Sequence, residues 1–181
     1  MIKKHYYSWA DVEKMCVSIT NQMYKDNWRP DYIVGITRGG NVPATIISNI
    51  TGIRCEALKV SLRDGESGKT GDSMLWMAED AFGYAPNPGP TAGPHHKQIL
   101  IVDDINDTGA TFNWITKDWQ SGCLPNDPKW NNIFGNNVRF ATLTDNLASD
   151  FKYDVRYTCH EVNKSEEDVW LVYPWENVGE Y

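Results

Sequence analysis

The sequence predicts an α/β fold, a parallel twisted sheet flanked by helices, and three stretches carry that prediction. Ile99-Leu100-Ile101-Val102 is a run of apolar β-formers, as expected of a strand buried on both faces. Tyr32-Ile33-Val34-Gly35-Ile36 is a second such run, and Val138 to Leu143 (VRFATL) is a third. The first two pass through a short polar or glycine-rich loop into a stretch with helical spacing, the order in which parallel sheets are built. With 181 residues, 41% of them hydrophobic, the chain is long enough for one domain, 1–181, with a full core.

Each element has its own signal. Residues 8–26 read as an amphipathic helix: Ser8 is an N-cap with Asp11 three residues on, and Val12, Met15, Cys16, Ile19 and Met23 form one apolar stripe. Trp28-Arg29-Pro30 ends it, and the strand 32–36 follows. Thr37-Arg38-Gly39-Gly40-Asn41-Val42-Pro43 reads as a loop, ATIISNI as a helix, and Gly52 as its stop. Arg54 to Val60 alternates in the β manner. Residues 61–97 are rich in glycine and then proline, which predicts a long mobile loop over the site, with a short helix through MLWMAEDAF. His95, His96 and Lys97 are a solvated entry to the next strand, without further ligands nearby in sequence to suggest a metal. In 99–111 the apolar strand ends at Asp103 and Asp104, which are assigned to the loop at its carboxyl end. Phe112, Ile115 and Trp119 then mark a helix that Gly122 stops. After VRFATL comes Thr144-Asp145-Asn146. Tyr153 to His160 alternates again, and Val169 to Tyr173 is β-like.

The chemistry lies in the loops. Thr108, Gly109, Ala110 and Thr111 have short side chains, so a phosphate can approach backbone N–H groups at the start of a helix, where the dipole favours an anion. Asp103 and Asp104 repel phosphate, but they accept hydrogen bonds from vicinal hydroxyls or hold a hydrated Mg²⁺. A phosphate site beside a hydroxyl-and-metal site describes ribose 5-phosphate. In the other loop Gly39 and Gly40 expose N–H groups and Arg38 adds positive charge, which suits a pyrophosphate, although two glycines also make an ordinary turn.

ILIVDDINDTGAT resembles the PRPP-binding signature of the type I phosphoribosyltransferases, and Thr37-Arg38-Gly39-Gly40 with Pro43 resembles the pyrophosphate loop of their 6-oxopurine members. The tail Trp170-Leu171-Val172-Tyr173-Pro174-Trp175 is similar to that of the bacterial xanthine–guanine enzymes, as is the first helix. Only 61–97 and 124–137 fall outside the likeness. The resemblance implies the type I phosphoribosyltransferase fold, with a flexible lid loop at about 61–97 and a small C-terminal hood at about 160–181. It implies the reaction base + PRPP → nucleoside 5′-monophosphate + pyrophosphate, in purine salvage, with Mg²⁺ as cofactor. Carried onto this sequence, Asp107, Thr108, Gly109, Ala110 and Thr111 would bind the 5′-phosphate, and Thr37, Arg38, Gly39 and Gly40 the pyrophosphate. Asp103 and Asp104 would hold the metal, partly through water. Asp107, Asp103, Asp104 and Arg38 form the catalytic set, with Asp107 meeting the base at N7. Asp107 is equally a turn acceptor that caps the helix, and the two roles are compatible.

Trp170 would stack on the base, or else be a core residue of a terminal strand, and Leu171 would meet the base edge. The subfamily recognises the 6-oxo group with a lysine just after the third strand. Here that place holds Thr144-Asp145-Asn146, and no lysine follows until Lys152. Either Thr144 or Asn146 donates instead, or Asp145 has moved preference toward a base with an amino group. Xanthine, hypoxanthine or guanine remains the expected base.

Composition limits the partners. Net charge is −7, with 24 acidic against 17 basic side chains, and gives no basic footprint for nucleic acid. No apolar run approaches membrane-spanning length. Met1 to His5 leads into polar aromatics rather than an apolar segment, so a cytoplasmic location is expected. The cysteines Cys16, Cys55, Cys123 and Cys159 are scattered and read as reduced. Eight tryptophans, with the resemblance, suggest a homodimer or higher homo-oligomer. Rival readings are a PRPP- or nucleotide-sensing regulator of the same fold, a phosphoribosyltransferase for another base, and a Mg²⁺-dependent phosphohydrolase built on the acid pair. The DDxxD motif of isoprenoid synthases sits within helices, not after a buried strand.

Overall fold

A computed structural model describes residues 2–60, 74–83 and 96–176. Strand β1 (Lys3–Tyr6) leads into helix α1 (Trp9–Lys25). The expected capping box is present: the Asp11 N–H donates to Ser8 Oγ at 3.0 Å and the Ser8 N–H to Asp11 Oδ2 at 2.8 Å. Next come β2 (Tyr32–Thr37), α2 (Asn41–Thr51) and β3 (Cys55–Lys59). Helix α2 starts earlier than the sequence suggests, because a proline is tolerated in the first turn, where its missing N–H has no intrahelical acceptor to lose. Gly52 closes it at φ 74°.

Helix α3 (Leu75–Phe82) is the short helix expected within 61–97. The lid reading of that segment falls largely on residues 61–73 and 84–95, which lie outside the described residues. Strand β4 (Ile99–Asn106) precedes α4 (Ala110–Gly122), a 3-10 turn (Pro128–Asn132) and β5 (Val138–Asn146). The chain ends with β6 (Val155–Tyr157), β7 (His160–Val162) and β8 (Val169–Val172). The single strand expected over 153–160 is therefore two short ones, which pair with different stretches of β5.

The main sheet runs β3-β2-β4-β5-β6, with β7 also on β5, and every pairing is parallel. Both faces are covered, which explains the continuous apolar runs. Leu100 and Val102 turn toward α1 and α2, while Ile99 and Ile101 turn toward α3 and α4. The segment 124–137, without an element in the sequence reading, fills the second layer. Trp130 is buried against Phe82, and Asn137 Nδ2 donates to the carbonyls of Ala81 and Lys97. Strands β1 and β8 pair in a separate two-stranded sheet, the expected hood with its N-terminal contribution. Tyr7, Val169, Leu171 and Tyr173 seat it on the α1 side of the core. Among the described residues, no helix is long and apolar enough to cross a membrane.

Candidate functional site

Parallel strands bring their carboxyl ends to one edge of the sheet, and the loops singled out in the sequence meet there. Asp103 and Asp104 are not in a loop. They extend β4, because β5 runs on to Asn146 and offers ladder partners: Asp103 pairs with Thr142, Ile105 with Thr144 and Asn106 with Asp145. The acids are thereby fixed by the sheet and do not ride on a mobile turn.

The pair is nearly buried. Asp103 is 9% exposed, and its carboxylate accepts the Asp104 N–H at 2.9 Å. Burial pushes the Asp103 carboxyl well above the usual range, and the Asp104 charge adds to it. Burial also raises Asp104, against hydrogen bonds from the Ile105 N–H and the Trp175 indole. Neither carboxylate has an ion-pair partner among the described residues, and no group of three or more metal-binding side chains occurs among them. Two hard, uncompensated oxygen donors suit Mg²⁺, which keeps several waters and substrate oxygens in its shell.

Beyond the acids, a cleft of about 210 Å³ is lined by Asp103 to Phe112. Gly109 is the N-cap of α4 at φ 88° and gives no side-chain cap, so first-turn N–H groups are open to an anion. One of them, Ala110 N–H, is held by Thr108 Oγ1 at 3.2 Å. The segment 146–151 shapes this turn from behind. Asp150 N–H donates to the Thr108 carbonyl, Asn146 Nδ2 donates to the Asp107 carbonyl, and a Cβ on Gly109 would lie 2.4 Å from Phe151 N.

On the other side stands the loop after β2. Thr37 is half-buried, Arg38 is exposed, and the peptide between them is cis. A Cβ on Gly39 would lie 2.1 Å from Asp104 Oδ2, and one on Gly40 2.4 Å from the Val102 carbonyl. The glycines therefore permit close approach: the Arg38-Gly39-Gly40 backbone lies against the acid pair.

The base-side residues are distributed differently from expectation. Thr144 is fully buried, with its hydroxyl bonded to Tyr7 and Tyr173, so it offers no donor to a base. Asn146 is 6% exposed, and both ends of its amide are engaged: Nδ2 by Asp107, Oδ1 by the N–H groups of Ala148 and Lys164. Asp145 is half-buried and accepts from Asn106 Nδ2 at 2.8 Å. Trp170, on the hood, is 59% exposed, which excludes the core alternative, whereas Leu171 is buried beside His5 of β1.

Sequence reading missed Lys164. Its Nζ lies 2.9 Å from Asp107 Oδ1, and its backbone N–H is fixed by Asn146. A lysine beside two glutamates in a polar loop carries no local signal; only the pairing of β7 with β5 delivers it to the site. Tyr7 and Tyr173 were missed too, since tyrosines at strand ends ordinarily read as packing.

The phosphoribosyl transferase domain family matches residues 2–173. The chain is similar to hypoxanthine-guanine phosphoribosyltransferase of Schizosaccharomyces pombe, 25% identical over 94% of this chain and 88% of the relative. It is also similar to xanthine phosphoribosyltransferase 1 of Saccharomyces cerevisiae, 24% identical over 96% and 90%. In fold it resembles the crystal structure of purine phosphoribosyltransferase from Pyrococcus horikoshii, with TM-score 0.63 at 20% identity over 99% and 98% of the two chains.

Proposed function

The chain belongs to the phosphoribosyl transferase domain family, and from that premise we propose that it joins a purine base to the ribose 5-phosphate of PRPP, releasing pyrophosphate. The base is a 6-oxopurine: hypoxanthine, guanine or xanthine. The observation that carries this reading is the order of sites along the sheet edge. The Arg38-Gly39-Gly40 backbone touches the Asp103–Asp104 pair, which runs directly into the open N-terminus of α4. That order, pyrophosphate cradle, diol-and-cation site, phosphate cradle, matches the order of groups in PRPP.

In this reading Thr108, Gly109, Ala110 and Thr111 hold the 5′-phosphate on backbone N–H groups and hydroxyls, with Asp107 at the edge of the same turn. Asp103 and Asp104 orient the ribose hydroxyls and would hold Mg²⁺, which when bound offsets charge on the leaving pyrophosphate. Thr37, Arg38, Gly39 and Gly40 receive that pyrophosphate with N–H donors and a guanidinium. Asp107 hydrogen-bonds the base at N7 and assists its proton transfer, with Lys164 beside it as counter-charge. Trp170 supplies an exposed aromatic face, worth about 1–3 kcal/mol of stacking to any base. A homodimer and a cytoplasmic location belong to the same reading; sedimentation tests the first and cell fractionation the second.

Turnover separates the rivals. The protein is incubated with PRPP, Mg²⁺ and single bases while pyrophosphate is followed. Release only with a 6-oxopurine supports this reading. Release without base indicates a hydrolase, binding of PRPP without release a regulator, and release with adenine or a pyrimidine alone a different base. Trp170→Ala should raise KM for every base accepted.

A further inference from the structure

Four contacts run in sequence beneath the acid pair. His160 Nδ1 is hydrogen-bonded to Tyr7 Oη. Tyr7 Oη lies 2.9 Å from Thr144 Oγ1, which lies 2.9 Å from Tyr173 Oη. Tyr173 Oη donates to the Asp104 carbonyl at 3.0 Å. The rings are held as firmly as the hydroxyls. Tyr7 stacks on Tyr173 at 4.9 Å, and Tyr173 on Trp175 at 4.9 Å and 6°. The Trp175 indole in turn reaches the Asp104 carboxylate.

Each contact needs one proton. Burial raises both phenols above their ordinary range, so each keeps its proton. Three hydroxyls then supply three protons for four contacts. The Asp104 carbonyl cannot donate, so the fourth proton must come from the ring nitrogen at the other end. Burial, with His5 nearby, lowers His160, which leaves a neutral ring with a single N–H. We infer that His160 carries its proton on Nδ1 and starts a one-way hydrogen-bond chain, His160 to Tyr7 to Thr144 to Tyr173 to the Asp104 carbonyl, that positions the acid pair from the hood.

The four side chains come from β7, from the residue after β1, from β5 and from the residue after β8. Hood and sheet are thus joined at the backbone of one of the two acids, while Trp175 holds the side chain of the same residue. None of the four is a catalytic residue; they act through Asp104. The positioning claim rests on the role proposed for Asp103 and Asp104, whereas the direction of the chain does not.

The test has two arms. Nitrogen-15 NMR of the imidazole at neutral pH should find His160 protonated on Nδ1, although Nε2–H is the commoner neutral form of histidine in water. Thr144→Val keeps the side-chain shape and removes the link. Tyr7 is then free to donate to Nδ1, and the ring should shift to the Nε2–H form. Thr144→Ser should retain the Nδ1–H form. An Nε2–H ring in the unmodified protein, or no tautomer change in Thr144→Val, overturns the chain. In turnover, Thr144→Val should lower kcat by about tenfold or more, with Thr144→Ser restoring it. Unchanged kcat alongside the tautomer shift would make the chain structural only. The expected tautomers in a protein without PRPP turnover would leave the chain standing and overturn the proposed function instead. If Thr144→Val does not fold, the tautomer of the unmodified protein and of Thr144→Ser decides.

Discussion

Gly39 offers the sharpest perturbation of the site. An added Cβ would stand 2.1 Å from Asp104 Oδ2 and 2.5 Å from its Cγ, whereas ordinary contact begins near 3.4 Å, so the carboxylate must retreat by about 1.3 Å, the difference between 3.4 and 2.1. It cannot swing away freely, being held by the Ile105 N–H at 2.9 Å and by the Trp175 indole. Displacing a reacting constellation by about 1 Å costs on the order of 100-fold in rate, or about 2.7 kcal/mol of transition-state stabilisation. Gly39→Ala should therefore lower kcat/KM for PRPP by about 100-fold in steady-state assays of pyrophosphate release. Gly52 is the control. At φ 74° with nothing within 4 Å of its Cβ position, Gly52→Ala should cost about 1 kcal/mol of stability through backbone strain, with kcat unchanged. Full activity in Gly39→Ala, or equal loss in both variants, would refute the claim that the glycine loop and the acid pair form one site.

Three further outcomes are expected. Asp103→Asn with Asp104→Asn should abolish transfer yet stabilise the protein in chelator at neutral pH by about 0.5–2 kcal/mol, read as a rise of about 2–4 °C in Tm per kcal/mol. Because both carboxyls are raised in the folded state, their stabilising contribution is present in acid and lost as pH climbs through their folded values, so the gain should vanish at low pH; a less stable double variant at neutral pH would contradict this. Arg38→Ala should weaken PRPP and pyrophosphate far more than nucleoside monophosphate, as calorimetry can measure; equal losses would make Arg38 structural. Lys164→Met should raise KM for the base more than for PRPP and cost under about 1 kcal/mol of stability, since the pair with Asp107 is partly exposed, while Lys164→Arg should recover most of the loss.

Much of this was legible because the signals were local. A both-sides-buried strand must be apolar throughout, so 32–36 and 99–102 stood out. The capping box at Ser8 and Asp11 and the glycine stop at 52 are short-range chemistry written in adjacent residues. Where the answer depended on a distant partner, the reading fell short. Asp103 and Asp104 resemble loop residues until the continuation of β5 gives them ladder partners. Thr144 looked like a donor at a strand end, but Tyr7 and Tyr173, more than a hundred and nearly thirty residues away, claim its hydroxyl. Lys164 reaches Asp107 only through the β5–β7 pairing, so a search for a lysine next to β5 in sequence looked in the wrong place.

The central claim is transfer from PRPP at the edge where β4 meets α4. The most direct test is to mix the protein with PRPP, Mg²⁺ and hypoxanthine, guanine or xanthine, and to identify the products by mass spectrometry. The account predicts the matching nucleoside 5′-monophosphate and pyrophosphate in equal amounts from the wild-type chain, and none above background from Asp103→Asn with Asp104→Asn. No nucleotide from any of the three bases, or undiminished nucleotide from the double variant, would contradict it.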